Sequence, residues 1–204
     1  MKDAMFLLKT YWSYSKLAFP ATIFVFAAYG FFAGMLLNNL KEDYNNGFEG
    51  FAADLVIVCF ASCSGFLLTK GYLSNPYWKN DSFTKQLAVL RSMPIPVGTL
   101  ALSRSLQILI LSPVLLAVFF GVLYASSSWA KELSPLTYLQ FILVWFGCGN
   151  FISAWHVVRE WGVSGRRYFW SSFVIVVLII ALCAAVWMVG GTHLTIRLGE
   201  MLTP

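Results

Sequence analysis

The sequence predicts an all-α membrane protein, a polytopic helical bundle of five transmembrane helices, or six if the C-terminal segment completes another span. It forms one transmembrane domain over residues 1–204. Three observations predict this class. Hydrophobic residues make up 59% of the chain and charged residues only 11%, where soluble domains carry about 25% charged residues. The apolar residues gather into runs of span length, and about 20 consecutive apolar residues cross a hydrocarbon core. The basic residues fall on one side of the resulting pattern, as the positive-inside rule requires.

Residues 1–16 mix Lys2, Lys9 and Lys16 with Phe6, Leu7, Tyr11, Trp12 and Tyr14. That composition suits a helix lying in the membrane interface ahead of the first span. The first span runs over Leu17–Leu37. It is longer than a signal-peptide core and no small-residue cleavage pattern follows it, so a cleaved leader is not expected. Within it, Gly30 and Gly34 form a G-x-x-x-G pair, a candidate site of close helix packing. A short polar stretch around Asn38–Gly47 leads to the second span, Phe51–Leu68. Asp54 lies near the start of that span, where water is expected to solvate it. Cys59, Cys63, Cys148 and Cys183 all fall inside spans and are expected to pack as small apolar residues.

The long basic segment 70–104 follows. Asp81 or Ser82 is placed to cap a helix. Phe83, Leu87 and Leu90 then fall at i, i+4 and i+7, giving one apolar face, with Lys85 opposite and Arg91 at its margin. Met93-Pro94-Ile95-Pro96 ends that segment. A short amphipathic helix between two spans suits either headgroup contact or insertion into a groove of a soluble partner. The third span, Ser105–Tyr124, contains Pro113, which removes one helical hydrogen bond. A second outer connection with Trp129 and Ser134-Pro135 precedes the fourth span, Leu139–Val158. Here Gly147, Asn150, Ser153, Ala154 and Val157 share a face, with His156 near its inner end. Polar groups at such depth serve contacts between helices or line a translocation surface, and Asn150, Ser153 and His156 are the candidates. The fifth span is Phe169–Val189, and the 15 residues after it are too few and too polar for a full span.

With the N-terminus in the cytoplasm, the inner segments hold Lys2, Lys9, Lys16, Lys70, Lys79, Lys85, Arg91, Arg104, Arg159, Arg166 and Arg167. Only Lys41, Lys131 and Arg197 of the 14 basic residues remain outside. The formal charge of +5 therefore reports topology and contact with anionic membrane lipids, not nucleic acid.

Several enzyme classes fail on inventory. The chain has no Gly-Lys dipeptide, so it carries no G-x-x-x-x-G-K-[ST] phosphate loop. His156 and His193 form no H-E-x-x-H zinc motif, and no metal is expected. Gly162-Val163-Ser164-Gly165 is similar to the nucleophile segment of rhomboid proteases. Ser164 nevertheless falls in a charged turn between Glu160 and Arg166, with His193 across the membrane from it.

The segment from Asp81 to Arg104, with its leucine-bearing helix, Met93-Pro94-Ile95 and then Ser103-Arg104, resembles the cytoplasmic loop of ABC-2 type transporter permeases. The matching is specific over about 25 residues, while the order of elements agrees over about the first 160. The resemblance implies that Phe83, Lys85, Leu87, Leu90 and Arg91 belong to a coupling helix docking on a separate P-loop ATP-binding subunit. ATP and Mg would reside in that partner, so this chain would have no cofactor and no enzyme activity of its own. It further implies a second permease chain, export of an amphiphilic lipid, drug or peptide, and a bacterial plasma membrane. Family members usually have six spans, a pattern from which this C-terminal segment departs. The other reading the residues allow is a non-transporting scaffold or immunity protein that binds a cytosolic partner or anionic lipid.

Overall fold

The computed structural model describes residues 5–7, 9, 17–42, 47–66, 96–162, 165–190 and 193–202, and every regular element among them is helical. The chain runs through α1 (Ala18–Glu42), α2 (Gly47–Cys63), α3 (Val97–Ser126), α4 (Ser128–Glu132), α5 (Pro135–Gly162), α6 (Gly165–Gly190) and α7 (Leu194–Leu202). Four of these, α1, α3, α5 and α6, are long and apolar enough to cross a membrane. The described residues are thus all-α, with four helices of membrane-spanning length and composition. α2 has 17 residues and lies among them, packed against α1, α5 and α6. Residues 5–7 and 9 are helical with Phe6 exposed, and the rest of the expected interfacial segment lies outside the described residues.

Helix ends depart from the apolar runs in two instructive places. α2 stops at Cys63, where Ser64 and Gly65 turn the chain, so the expected continuation to Leu68 does not hold through that turn. α3 begins at Val97, directly after Pro96, with Thr99 N–H bonded to the Pro96 carbonyl at 2.9 Å. Residues 97–104, expected as loop, are the first two turns of a 30-residue helix. At 1.5 Å per residue that helix is about 45 Å long, well beyond a hydrocarbon core of about 30 Å. Pro113 lies inside it without ending it.

The core is aromatic. Phe119 is fully buried and its ring lies 5.7 Å from Phe60 of α2, 6.5 Å from Phe26 of α1 and 5.1 Å from neighbouring Phe120. Phe120 continues to Phe141 of α5 at 5.8 Å, and Phe141 to Trp129 of α4 at 5.8 Å. Edge-to-face and offset ring pairs at these separations are favourable beyond the area they bury. The buried Tyr138 hydroxyl donates to the Phe120 carbonyl at 2.6 Å, satisfying a polar group within this cluster.

Small residues let the helices approach. A Cβ on Gly30 would lie 2.5 Å from the Phe119 carbonyl oxygen, and one on Gly34 would strike the Ser126 side chain. The G-x-x-x-G pair therefore faces α3 of the same chain. At the end of that seam, Asn38 donates from Nδ2 to the Ser126 carbonyl at 2.8 Å. Its Oδ1 accepts from Ser128 N–H at 2.6 Å and from the Ser128 hydroxyl at 2.9 Å. Asn38→Ala is expected to free the α3–α4 turn from α1 and lower stability by about 1 kcal/mol, because the site is partly exposed. A small fall in melting temperature of the detergent-solubilised protein would register this.

α6 is the peripheral helix. Only 6% of its spanning residues are buried, against 44% for α3. Phe173, Leu178 and Met188 face outward, as lipid-facing side chains of a spanning helix do. Cys183 packs into the core, whereas Cys63 and Cys148 are exposed on the outer surface of the bundle, against the packing expected of them.

Candidate functional site

The polar stripe of α5 meets two other helices. The Ser112 hydroxyl of α3 donates to Asn150 Oδ1 at 3.2 Å, and Asn150 Nδ2 donates to the Phe146 carbonyl at 2.8 Å. Ser112 stands immediately before Pro113, so this bond ties α5 to α3 where the proline interrupts helical bonding. Ser153 is fully buried, and its hydroxyl donates to the Ser62 carbonyl near the end of α2 at 3.2 Å. The α2 carbonyl needs such a donor because the last turn of a helix lacks internal partners. Gly65 makes room for this contact, since a Cβ there would sit 2.7 Å from the Ser153 hydroxyl. Gly149 does the same one turn earlier, facing the Ala61 carbonyl. Asn150 and Ser153 thus join α5 to α3 and α2.

His156 lies one turn further along α5. Its ring stands 6.1 Å from Phe66, edge to face, and 5.9 Å from Tyr168 of α6, whose hydroxyl is 3.4 Å from His156 Nδ1. Arg159, in the last turn, holds its guanidinium 5.6 Å over the Trp155 ring. His156 therefore marks the place where the ends of α2, α5 and α6 converge, with the basic residues Arg159 and Arg167 close by in sequence. The residues expected to form a coupling helix, Phe83, Lys85, Leu87, Leu90 and Arg91, lie outside the described residues. So does Ser164, and His193 stands beyond the opposite end of the 26-residue α6 from it.

The opposite end of the bundle holds a feature that local sequence does not reveal. Asp54 is 1% exposed, not solvated as expected. Its Oδ2 accepts the Leu194 N–H at 2.8 Å and its Oδ1 the Thr195 N–H at 2.9 Å. A carboxylate from α2 thus caps the start of α7, satisfying amides that a helix start leaves unpaired and meeting the positive end of its dipole. His193 is stacked on Trp187 at 6.4 Å and fills the space left by the missing side chain of Gly50. Asp54 and its partners are 140 and 141 residues apart, so no sequence spacing could have joined them. The one available signal was an acid within an apolar run, which calls for a buried partner as readily as for water.

Among the described residues, no group of three or more His, Cys, Asp or Glu side chains could hold a metal ion. Comparison with protein-family models, with curated proteins and with solved structures gives no match. The fold and the seam define a class, an integral membrane helical bundle stitched by sparse polar contacts.

Proposed function

We propose that the chain is the permease subunit of an ATP-driven exporter of ABC-2 type, crossing a bacterial plasma membrane with its N-terminus in the cytoplasm. In this reading α2 is a fifth crossing helix, since 17 residues is at the short limit for a span of about 17–25 residues. A separate P-loop subunit binds ATP and Mg, a second permease chain completes the path, and the cargo is an amphiphile. The observation that carries the reading is the segment from Asp81 to Arg104, resembling the coupling loop of that family, which precedes α3 and ends within its first two turns. Two features support it. α2 ends and α3 begins where Arg104, Arg159 and Arg167 lie, which suits a cytoplasmic face. The sequence has no phosphate loop, which agrees with a permease driven by a separate ATP-binding subunit.

The test is purification of the intact chain from its native host in mild detergent, with and without Leu87→Asp. A P-loop ATPase is expected to co-purify with the wild type. The substitution sets a charge on the apolar face that the sequence predicts for Phe83, Leu87 and Leu90, and should reduce the recovered ATPase about 10-fold or more, the factor that 1.4 kcal/mol gives. Absence of an ATPase from both preparations defeats the reading, leaving a scaffold that binds lipid or another cytosolic protein.

A further inference from the structure

Arg159 is a cation that the described residues leave without an anion. It stands half-buried in the last turn of α5, with its guanidinium 5.6 Å over the Trp155 ring. Helical side chains lean toward the start of their helix, so Arg159 reaches back along α5 rather than on past its end. Its Nε is closed off and has no hydrogen-bond partner, while the residue as a whole keeps some surface, which leaves the Nη fork as its open part. Glu49 in the first turn of α2, Asp54 under α7, Glu132 in α4 and Glu200 in α7 all lie at the opposite end of the bundle.

Arg167 comes to the same end from α6. The His156 and Tyr168 rings meet at 5.9 Å across the two helices. Arg159 follows His156 by one turn and Arg167 directly precedes Tyr168. Arg167 is exposed and, like Arg159, pairs with no acid among the described residues. The surroundings are those of a bilayer boundary. The apolar stretches long enough to cross a membrane run over Pro135–Arg159 and Arg167–Met188, so each arginine closes one of them. Trp155 and Trp170 are each 48% exposed, and Val158 beside them more so. Tryptophan on the outside of a spanning helix marks headgroup depth.

A cation at the edge of hydrocarbon is costly until it meets an opposite charge, and at this depth the abundant anion is a lipid phosphate. The planar arginine fork takes a phosphate through two parallel N–H···O bonds, which a point charge cannot do. The apolar surface of Trp155 and Val158 offers contact to acyl chains that a soluble anion lacks. We propose that Arg159, seated on Trp155, and Arg167 form a binding site for one anionic phospholipid at the corner of α5 and α6. The site needs only that α5 and α6 cross the bilayer, and neither an ATPase nor transport.

Native mass spectrometry of the full chain in detergent, titrated with phosphatidylglycerol or phosphatidylcholine, tests the site. Phosphatidylglycerol is expected to bind in preference, and Arg159→Gln to weaken its first binding step about ten-fold. Lys131→Gln, at the opposite end of the bundle, should leave that step unchanged. Melting in nanodiscs separates binding from folding. Phosphatidylglycerol should raise the melting temperature of the wild type but not of Arg159→Gln, as a ligand of the folded state does, with the two alike in phosphatidylcholine. Inorganic phosphate is expected to leave the bound lipid in place. Four results overturn the proposal: equal phosphatidylglycerol affinity in wild type and Arg159→Gln, equal retention of the two lipids, as large a loss from Lys131→Gln, or displacement by inorganic phosphate, which would make this a site for soluble anions. Should Arg159→Gln fail to fold, Arg167→Gln decides: its side chain is exposed, and its loss should weaken binding about five-fold. An unchanged affinity there overturns the proposal as well.

Discussion

Gly149→Leu is expected to part α2 from α5 and to leave too little folded protein for a monodisperse peak in detergent. The reason lies in what faces the glycine. A Cβ there meets the Ala61 carbonyl, and the Ser64 hydroxyl lies 3.1 Å away. The first obstacle is helix backbone, which cannot rotate aside as a long side chain could. Even Gly149→Ala should therefore destabilise by about 1–3 kcal/mol, the usual range for overpacking. It does so although alanine favours a helix over glycine by about 1 kcal/mol. The seam holds further contacts that depend on the same approach, because Ser153 must reach the Ser62 carbonyl. Gly147, two residues earlier, supplies the control, since a Cβ added there meets nothing within 4 Å. Gly147→Ala should be neutral or slightly stabilising through helix propensity alone. Melting curves for the pair separate a packing defect from a general intolerance of α5 to substitution. Equal behaviour of the two variants would sink the argument.

The contrast between these glycines also measures what the sequence can disclose. Four spans were legible because a helix of about 20 apolar residues has few other places to go than a bilayer. The polar stripe was legible as a stripe, since Asn150 and Ser153 fall three apart on one face. Its partners were not, because Ser112 and the Ser62 carbonyl come from other helices. The helix ends were misjudged for a specific reason: hydropathy marks the apolar core, whereas α3 begins two turns earlier, at the proline that permits a helix start. α7 escaped for a different one. Nine residues form no stable helix alone, and the carboxylate that caps this one arrives from residue 54. Gly30 and Gly34 were visible as a close-packing pair, but the helix they approach became known only when Phe119 and Ser126 were seen against them.

Phe119→Ala is expected to be the most damaging truncation in the core, about 3 kcal/mol and near the low end for buried phenylalanine. The low end follows from the solvent. In a bilayer the unfolded side chain exchanges a packed core for lipid that is equally apolar, so the transfer contribution largely vanishes. What remains is the cavity and the dispersion lost around it. Both are large here, because the ring is fully buried and has aromatic neighbours from α1, α2 and its own helix. Phe60 would lose a nearly parallel partner at 5.7 Å between α1, α2 and α3. Phe173→Ala on α6 makes the comparison, since that side chain is 52% exposed and lipid can replace it. Unfolding of both variants in detergent, followed by loss of tryptophan fluorescence structure, should show a clear loss for Phe119 and almost none for Phe173. The gap between them isolates tight packing from hydrophobicity as the force holding this bundle together, since the two substitutions delete the same atoms. If both lose the same stability, the aromatic cluster around Phe119 is not what fixes α1, α2 and α3 to one another.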